Sequence, residues 1–248
     1  MHEKVIYSVI LLLIAVFISW YNKLKAEKDL IIGGIRAAVQ LVAIGYVLDY
    51  VFSLNTLWSQ LLLLFAMSII AAHTAKGRAK EVKKAGLLSF IGILSGTAVS
   101  IGVLLAVGII TPKPNYLIPL GGMVIGNTMT ASALAIDRFY NELKSNMPKI
   151  LFALSLGMST KDASIFYIRK SIRAAMTPII NTLKIVGLIQ LPGAMTGMLV
   201  AGASPMKAAM FQLVIMYMIA AAIGTGSAIT LLLARKNLFY KDITVNLQ

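Results

Sequence analysis

Six stretches of this chain carry no charged residue: 5–22, 50–75, 85–112, 114–136, 185–205 and 208–234. A helix rises about 1.5 Å per residue, so about 20 residues cross the ~30 Å apolar core of a bilayer. Each run is close to that length or longer. A further stretch, about 30–52, is apolar apart from Arg36 and Asp49. Backbone polar groups in lipid must be satisfied within the segment, which at this length means a helix. The pattern predicts an all-α polytopic integral membrane protein with about seven transmembrane helices. The predicted spans are 5–22, 30–52, 57–75, 86–110, 116–136, 178–202 and 207–234.

The charges fall between these runs, and the basic ones fall on alternate loops. Lys23, Lys25 and Lys28 follow the first span, and Lys76, Arg78, Lys80, Lys83 and Lys84 follow the third. Arg138, Lys144, Lys149, Lys161, Arg169, Lys170 and Arg173 follow the fifth, and Arg235, Lys236 and Lys241 follow the last. The opposite loops hold only Lys4, Lys113 and Lys207. This is the positive-inside pattern, with the N-terminus outside and the C-terminus cytoplasmic. The net charge of +14 is therefore accounted for by topology and by attraction to anionic membrane lipids. No nucleic-acid motif accompanies it, so nucleic acid is not an expected partner. With no cysteine, disulfides and thiolate metal sites are excluded. The N-terminal run lacks a basic n-region and a small-x-small cleavage site, so it reads as a retained span.

Residues 137–177 are too polar to cross a membrane and read as a cytoplasmic segment within one domain, 1–248. Residues 137–149 predict an amphipathic surface helix, and Ser159 or Thr160 caps the next one. Thr111-Pro112-Lys113-Pro114 and Ala203-Ser204-Pro205 predict external turns.

Several polar or unusual residues lie at membrane depth. Arg36 and Gln40 stand one turn apart on one face. Arg36 either snorkels to the headgroups or faces the interior to pair there. Gly122, Asn127 and Met129 lie on a glycine-rich fifth span that also holds Thr128 and Thr130. Pro192 predicts a kink or break in the sixth span, exposing carbonyls near Met195 and Thr196. Glycine pairs four apart, Gly92/Gly96, Gly122/Gly126 and Gly193/Gly197, allow close helix approach, either within the chain or at a subunit interface. Met123, Met129, Met195 and Met198 offer soft thioethers, but Met also fills cores. No metal ligand set is assigned. HExxH, GxSxG and GxxxxGK[ST] are all absent, so neither hydrolase chemistry nor Walker-type ATP binding is supported.

Leu156-Gly157-Met158-Ser159 resembles the short cytoplasmic turn by which ABC-transporter permeases dock on their ATPase. Residues 174–182 (including Pro178 and Asn181), 186–197, 118–129 and 36–41 resemble, in order, blocks of the FetB family of permeases. That family comprises bacterial ABC membrane subunits implicated in iron export, with plant relatives linked to aluminium tolerance. The resemblance covers about residues 30–234. It departs at Leu151 and Phe152, where many coupling motifs open on an acid, and at Met198, where the family has Gln.

The resemblance implies a permease subunit of the bacterial plasma membrane, acting as a homodimer with a separate ABC ATPase subunit. ATP and Mg bind that partner, and no cofactor binds this chain. The implied cargo is a metal ion such as iron. On this reading Leu154, Leu156, Gly157 and Ser159 couple to the ATPase. Arg36, Gln40, Gly122, Asn127, Met129, Asn181, Pro192, Met195 and Thr196 line or gate the path. The alternatives are a self-sufficient secondary transporter or channel, or a non-transporting membrane scaffold.

Overall fold

The apolar runs fold as helices, and identifiable residues set their ends. The computed structural model describes residues 7, 9–54, 56–79, 82, 84–240 and 244–245. They fall in two units, one within 1–55 and one within 56–248.

The first unit is a helical hairpin, α1 (Val9–Tyr21) and α2 (Glu27–Leu54). Lys23 and Lys25 turn the chain through positive φ values of 53° and 59°. Ser19 stabilises the turn: its hydroxyl donates to Glu27 Oε1 (3.0 Å) and accepts from the Ala26 N–H (3.2 Å). Glu27 and Asp29 occupy the first turn of α2, where negative charge complements the helix dipole. The predicted first span begins at residue 5, and residues 5, 6 and 8 lie outside the described residues.

The second unit holds α3 (Leu57–Arg78), α4 (Ala85–Ala106), α5 (Pro114–Ser145), α6 (Met147–Ser155), α7 (Thr160–Ile185), α8 (Gly193–Val200) and α9 (Pro205–Leu238). Two two-residue strands, β1 (Phe239–Tyr240) and β2 (Thr244–Val245), pair antiparallel after α9. Helices α4, α5 and α9 form the centre; α3 packs on α4 and α5, and α7 packs on α5 and α9. The core contains Val124, Ala135, Ile136, Phe139, Leu143, Ala222 and Leu231, all essentially inaccessible. The two proline-containing segments do separate helices, but Pro114 and Pro205 each open the following helix rather than lie in the turn.

The crossing of α4 and α9 depends on glycine. A Cβ on Gly92 would run into Thr230 and stand 2.7 Å from the Gly226 carbonyl oxygen. One on Gly96 would stand 2.7 Å from the Ala222 carbonyl oxygen. This first glycine pair therefore serves packing within the chain. Beside the crossing, Thr230 Oγ1 lies 3.3 Å from Ser132 Oγ and joins α9 to α5.

Five described helices, α2, α3, α4, α5 and α9, are long and apolar enough to cross a membrane. Two expectations change. The surface helix expected at 137–149 is instead the continuation of α5, which runs unbroken to Ser145. No proline or glycine follows Gly126 before Ser145, and Ile136, Phe139, Tyr140 and Leu143 extend the buried stripe at helical spacing. At 32 residues α5 is about 48 Å long, so it exceeds the hydrocarbon thickness and its polar last turns extend beyond it. The segment expected as one span over 178–202 is divided. The helix starts at Thr160, tolerates Pro178 and ends at Ile185, well before Pro192. Gly187 turns the chain at φ 81°, and Pro192 caps the separate helix α8.

Candidate functional site

Helices α5, α7 and α9 enclose a half-open groove of about 200 Å³. Asn127, Thr130, Pro178, Thr182 and Met216 line it, with Ile179, Ile219 and other apolar residues as its walls. The groove's polar side chains are each held by their own helix. Asn127 Nδ2 donates to the Met123 carbonyl (2.8 Å), Thr130 Oγ1 to the Gly126 carbonyl (3.2 Å), and Thr182 Oγ1 to the Pro178 carbonyl (3.0 Å). Asn127 and Thr130 meet Thr182 only because α7 lies against α5 and α9.

Within the second unit, the other residues expected on the path do not converge on this groove. Gly122 and Met129 face α3: Gly122 lies against Met67, and Met129 packs on the cluster of Leu64, Ala71, Ile93 and Ile125. Asn181 is exposed and lies outside the groove lining. Arg36 and Gln40 are exposed on α2 in the first unit. Pro192, Met195 and Thr196 belong to the start of α8. There the Met195 N–H donates to Oε1 of the buried Gln212 on α9 (3.2 Å), which fastens α8 to α9. Among the described residues no group of three His, Cys, Asp or Glu side chains is placed to hold a metal ion.

The second feature is the connection from α6 to α7. Gly157 takes φ 85°, a left-handed conformation that a Cβ disfavours, and ends α6 in a tight turn. Its N–H donates to the Leu154 carbonyl (3.0 Å), and the Met158 N–H donates to the Ala153 carbonyl (3.1 Å). Ser159 then caps α7 by accepting the Asp162 N–H (3.1 Å), as its sequence context predicts. Ile150 is buried, and Ala153 and Leu154 pack on the core, so α6 is anchored. Beyond the anchor Phe152, Leu156 and Met158 are exposed, Leu156 at 73%.

Glu142 braces this end of the unit. Its carboxylate lies 2.8 Å from Arg138 Nη2 on its own helix and 2.8 Å from Lys170 Nζ on α7. Only 9% of its side chain is exposed, whereas about half of each partner is. The Lys170 hydrogen bond holds the Glu142 carboxyl below the usual range; desolvation opposes this, and the Lys170 and Arg138 charges assist. Sequence reasoning passed over Glu142, Thr182, Met216 and Gln212. A signal existed for Glu142, an acid four residues after Arg138 within a basic segment. None existed for the others, whose partners are distant in sequence.

Long apolar helices, a glycine-mediated core and a neutral groove at membrane depth define a multi-pass membrane protein. The model described as Uncharacterised protein family (UPF0014) matches residues 2–239, and the chain belongs to that family. It is 38% identical over 218 residues to the "Probable iron export permease protein FetB" of Escherichia coli (strain K12), covering 88% of this chain and 84% of that protein. It is 37% identical over 232 residues to the "UPF0014 membrane protein YjkA" of Bacillus subtilis (strain 168), covering 94% and 93%. Similarity to "Protein ALUMINUM SENSITIVE 3" of Arabidopsis thaliana is 34% over 224 residues, covering 90% and 81%. No solved structure matches the chain significantly. The bacterial relatives fit a location in the plasma membrane.

Proposed function

We propose that this chain is the membrane-spanning subunit of an ABC-type exporter, driven by a separate ATPase subunit. The observation that carries the reading is the α6–α7 turn: an anchored short helix ending in exposed apolar side chains, in a chain without a phosphate loop. An exposed apolar cluster on a rigid support suits docking into a partner's groove. The chain spans the membrane about seven times as one permease domain, N-terminus outside and C-terminus cytoplasmic, which puts this turn on the ATPase side. Two copies pair with two ATPases. ATP and Mg act on the partner and this chain holds no cofactor. The cargo is a metal ion, by analogy with the iron export named for the Escherichia coli relative.

The motion passes from the turn through α7. Glu142 ties α7 to the polar end of α5, and α7 carries Pro178 and Thr182 to the groove. A displacement of the turn thus alters the groove without needing a flexible linker. The self-sufficient transporter is disfavoured because no Asp or Glu lies in the middle of a span to couple ions.

Co-purification with the ATPase encoded beside the gene, followed by ATP hydrolysis in lipid, tests this reading. The wild-type chain is expected to bind that ATPase. Leu156→Asp puts a charge into the docking cluster and is expected to weaken the complex by at least about tenfold, the effect of about 1.4 kcal/mol. Gly157→Val strains the turn by about 1–3 kcal/mol and is expected to lower coupled hydrolysis. An ATPase complex indifferent to both substitutions would remove the docking assignment.

A further inference from the structure

We infer that α8 is a movable strap at the end of the groove remote from Glu142, latched to α9 by the buried side chain of Gln212. The start of α8 needs an acceptor that its own cap does not supply. Pro192 occupies the cap position and has no side-chain oxygen to offer the first-turn N–H groups. Gln212 supplies one from another helix, accepting the Met195 N–H at 3.2 Å. A buried amide is costly without a partner, so this bond fixes where α8 docks. Little else holds the helix. α8 has no buried residue, its main packing partner is α9, and of its side chains only Ala194 packs on the core. Segments with so few buried apolar contacts open at low free energy while the core stays folded.

Both ends of the strap are built to pivot. Gly187 precedes α8 at φ 81° and Gly202 follows it at φ 86°. A Cβ at either position would meet nothing within 4 Å, so glycine serves the backbone conformation there rather than close packing. These turns and α8 together join the groove's α7 wall to its α9 wall. Thr182 lines the groove just before α7 ends at Ile185, and Gln212 lies one turn before Met216, another lining residue. The latch therefore sits one helical turn from the groove, although no α8 side chain lines it. A shift of α7 pulls on the strap through Gly187, whereas α9 keeps Gln212 in place among the central helices. Movement of α7 relative to α9 thus loads the Met195–Gln212 bond, and releasing that bond frees α8 without unpacking the core.

The role of the strap in transport rests on the proposed function, but the latch itself does not, so the test uses the full-length chain alone in lipid nanodiscs. The chain has no cysteine, so one introduced thiol reports alone. Ala194→Cys places it on the half-buried side of α8, and Ala72→Cys places a control on the buried side of α3. The readout is the rate of labelling by a small maleimide. Gln212→Leu keeps the bulk of the side chain and removes the acceptor. It is expected to speed labelling at position 194 about fivefold, the effect of one neutral hydrogen bond on an opening equilibrium, and to leave position 72 unchanged. Gln212→Glu keeps an acceptor oxygen and is expected to retain the slow rate. Equal rates at position 194 with and without the acceptor overturn the inference, as does a parallel rise at both positions, which marks general loosening. A Gln212-dependent rate at position 194 in a chain that binds no ATPase would leave the strap standing and remove the ABC reading. An ATPase complex with position 194 indifferent to Gln212→Leu would do the reverse.

Discussion

Gly92→Ala is expected to destabilise the chain by about 2–3 kcal/mol, while the same change at Gly126 leaves stability unchanged or raises it by up to about 1 kcal/mol. Alanine is the better helix former at both positions, so local propensity alone predicts stabilisation twice. The surroundings separate them. The new methyl at Gly92 meets Thr230 and the Gly226 carbonyl of α9. Thr230 can rotate away, but the carbonyl belongs to a helix backbone and moves only if α4 and α9 separate. That separation would loosen the packing of Ala222 and Leu231 and the Ser132–Thr230 contact. Gly126 has nothing within 4 Å of the equivalent position. Thermal unfolding of the purified variants in one detergent checks the pair. Equal shifts in the two midpoints would mean that α4 and α9 do not meet at Gly92.

Glu142→Lys is expected to be the most damaging single charge change at the polar end, costing about 3 kcal/mol. It replaces the shared anion of a cluster with a third cation in a covered position. Glu142→Gln is milder, about 1–2 kcal/mol, because Arg138 and Lys170 are half exposed and water takes over their solvation. The acid dependence has a definite sign. The folded-state carboxyl is held below its unfolded value, so the folded state binds its proton less readily. The contribution of Glu142 is therefore fully present above the unfolded carboxylate value of about 4.3 and is lost as pH falls through the lower folded value. Midpoints measured from neutral into that acid range should fall less steeply for Glu142→Gln than for the wild-type chain. Identical slopes would show that Glu142 is not held by its two partners. Because Lys170 lies on α7, Glu142→Gln also tests the mechanical link: it should reduce partner-driven hydrolysis more than it reduces complex formation.

These effects separate what was legible in the chain from what was not. The helical class and the starts of α3, α4, α5 and α9, to within two residues, followed from apolar length and from the positions of the prolines. The Ser159 cap and the Gly157 turn were equally legible, because each depends on residues within a few positions of one another. The continuation of α5 was not. Phe139, Tyr140 and Leu143 make an apolar stripe that serves a surface helix and a core helix alike, and only their neighbours distinguish the two. The end of α7 was misplaced for a related reason. Pro192 is the stronger local breaker, but the chain had already turned at Gly187, and Pro178 was absorbed within the helix.

The candidate site shows the same division. Asn127 and Met129 stand two residues apart on one glycine-rich helix and read as one feature in sequence. On the folded helix they face opposite neighbours, Asn127 toward α7 and α9, Met129 toward α3 and α4. Thr182 and Met216 join Asn127 from helices 55 and 89 residues further along the chain, distances over which no local pattern operates. The sequence by itself determined that the chain belongs in a bilayer and which of its loops are basic, because solvation acts on each segment separately. Only the tertiary structure decided which oxygens share a groove, which glycines are crowded and which cations Glu142 holds, because those depend on how helices pack against one another.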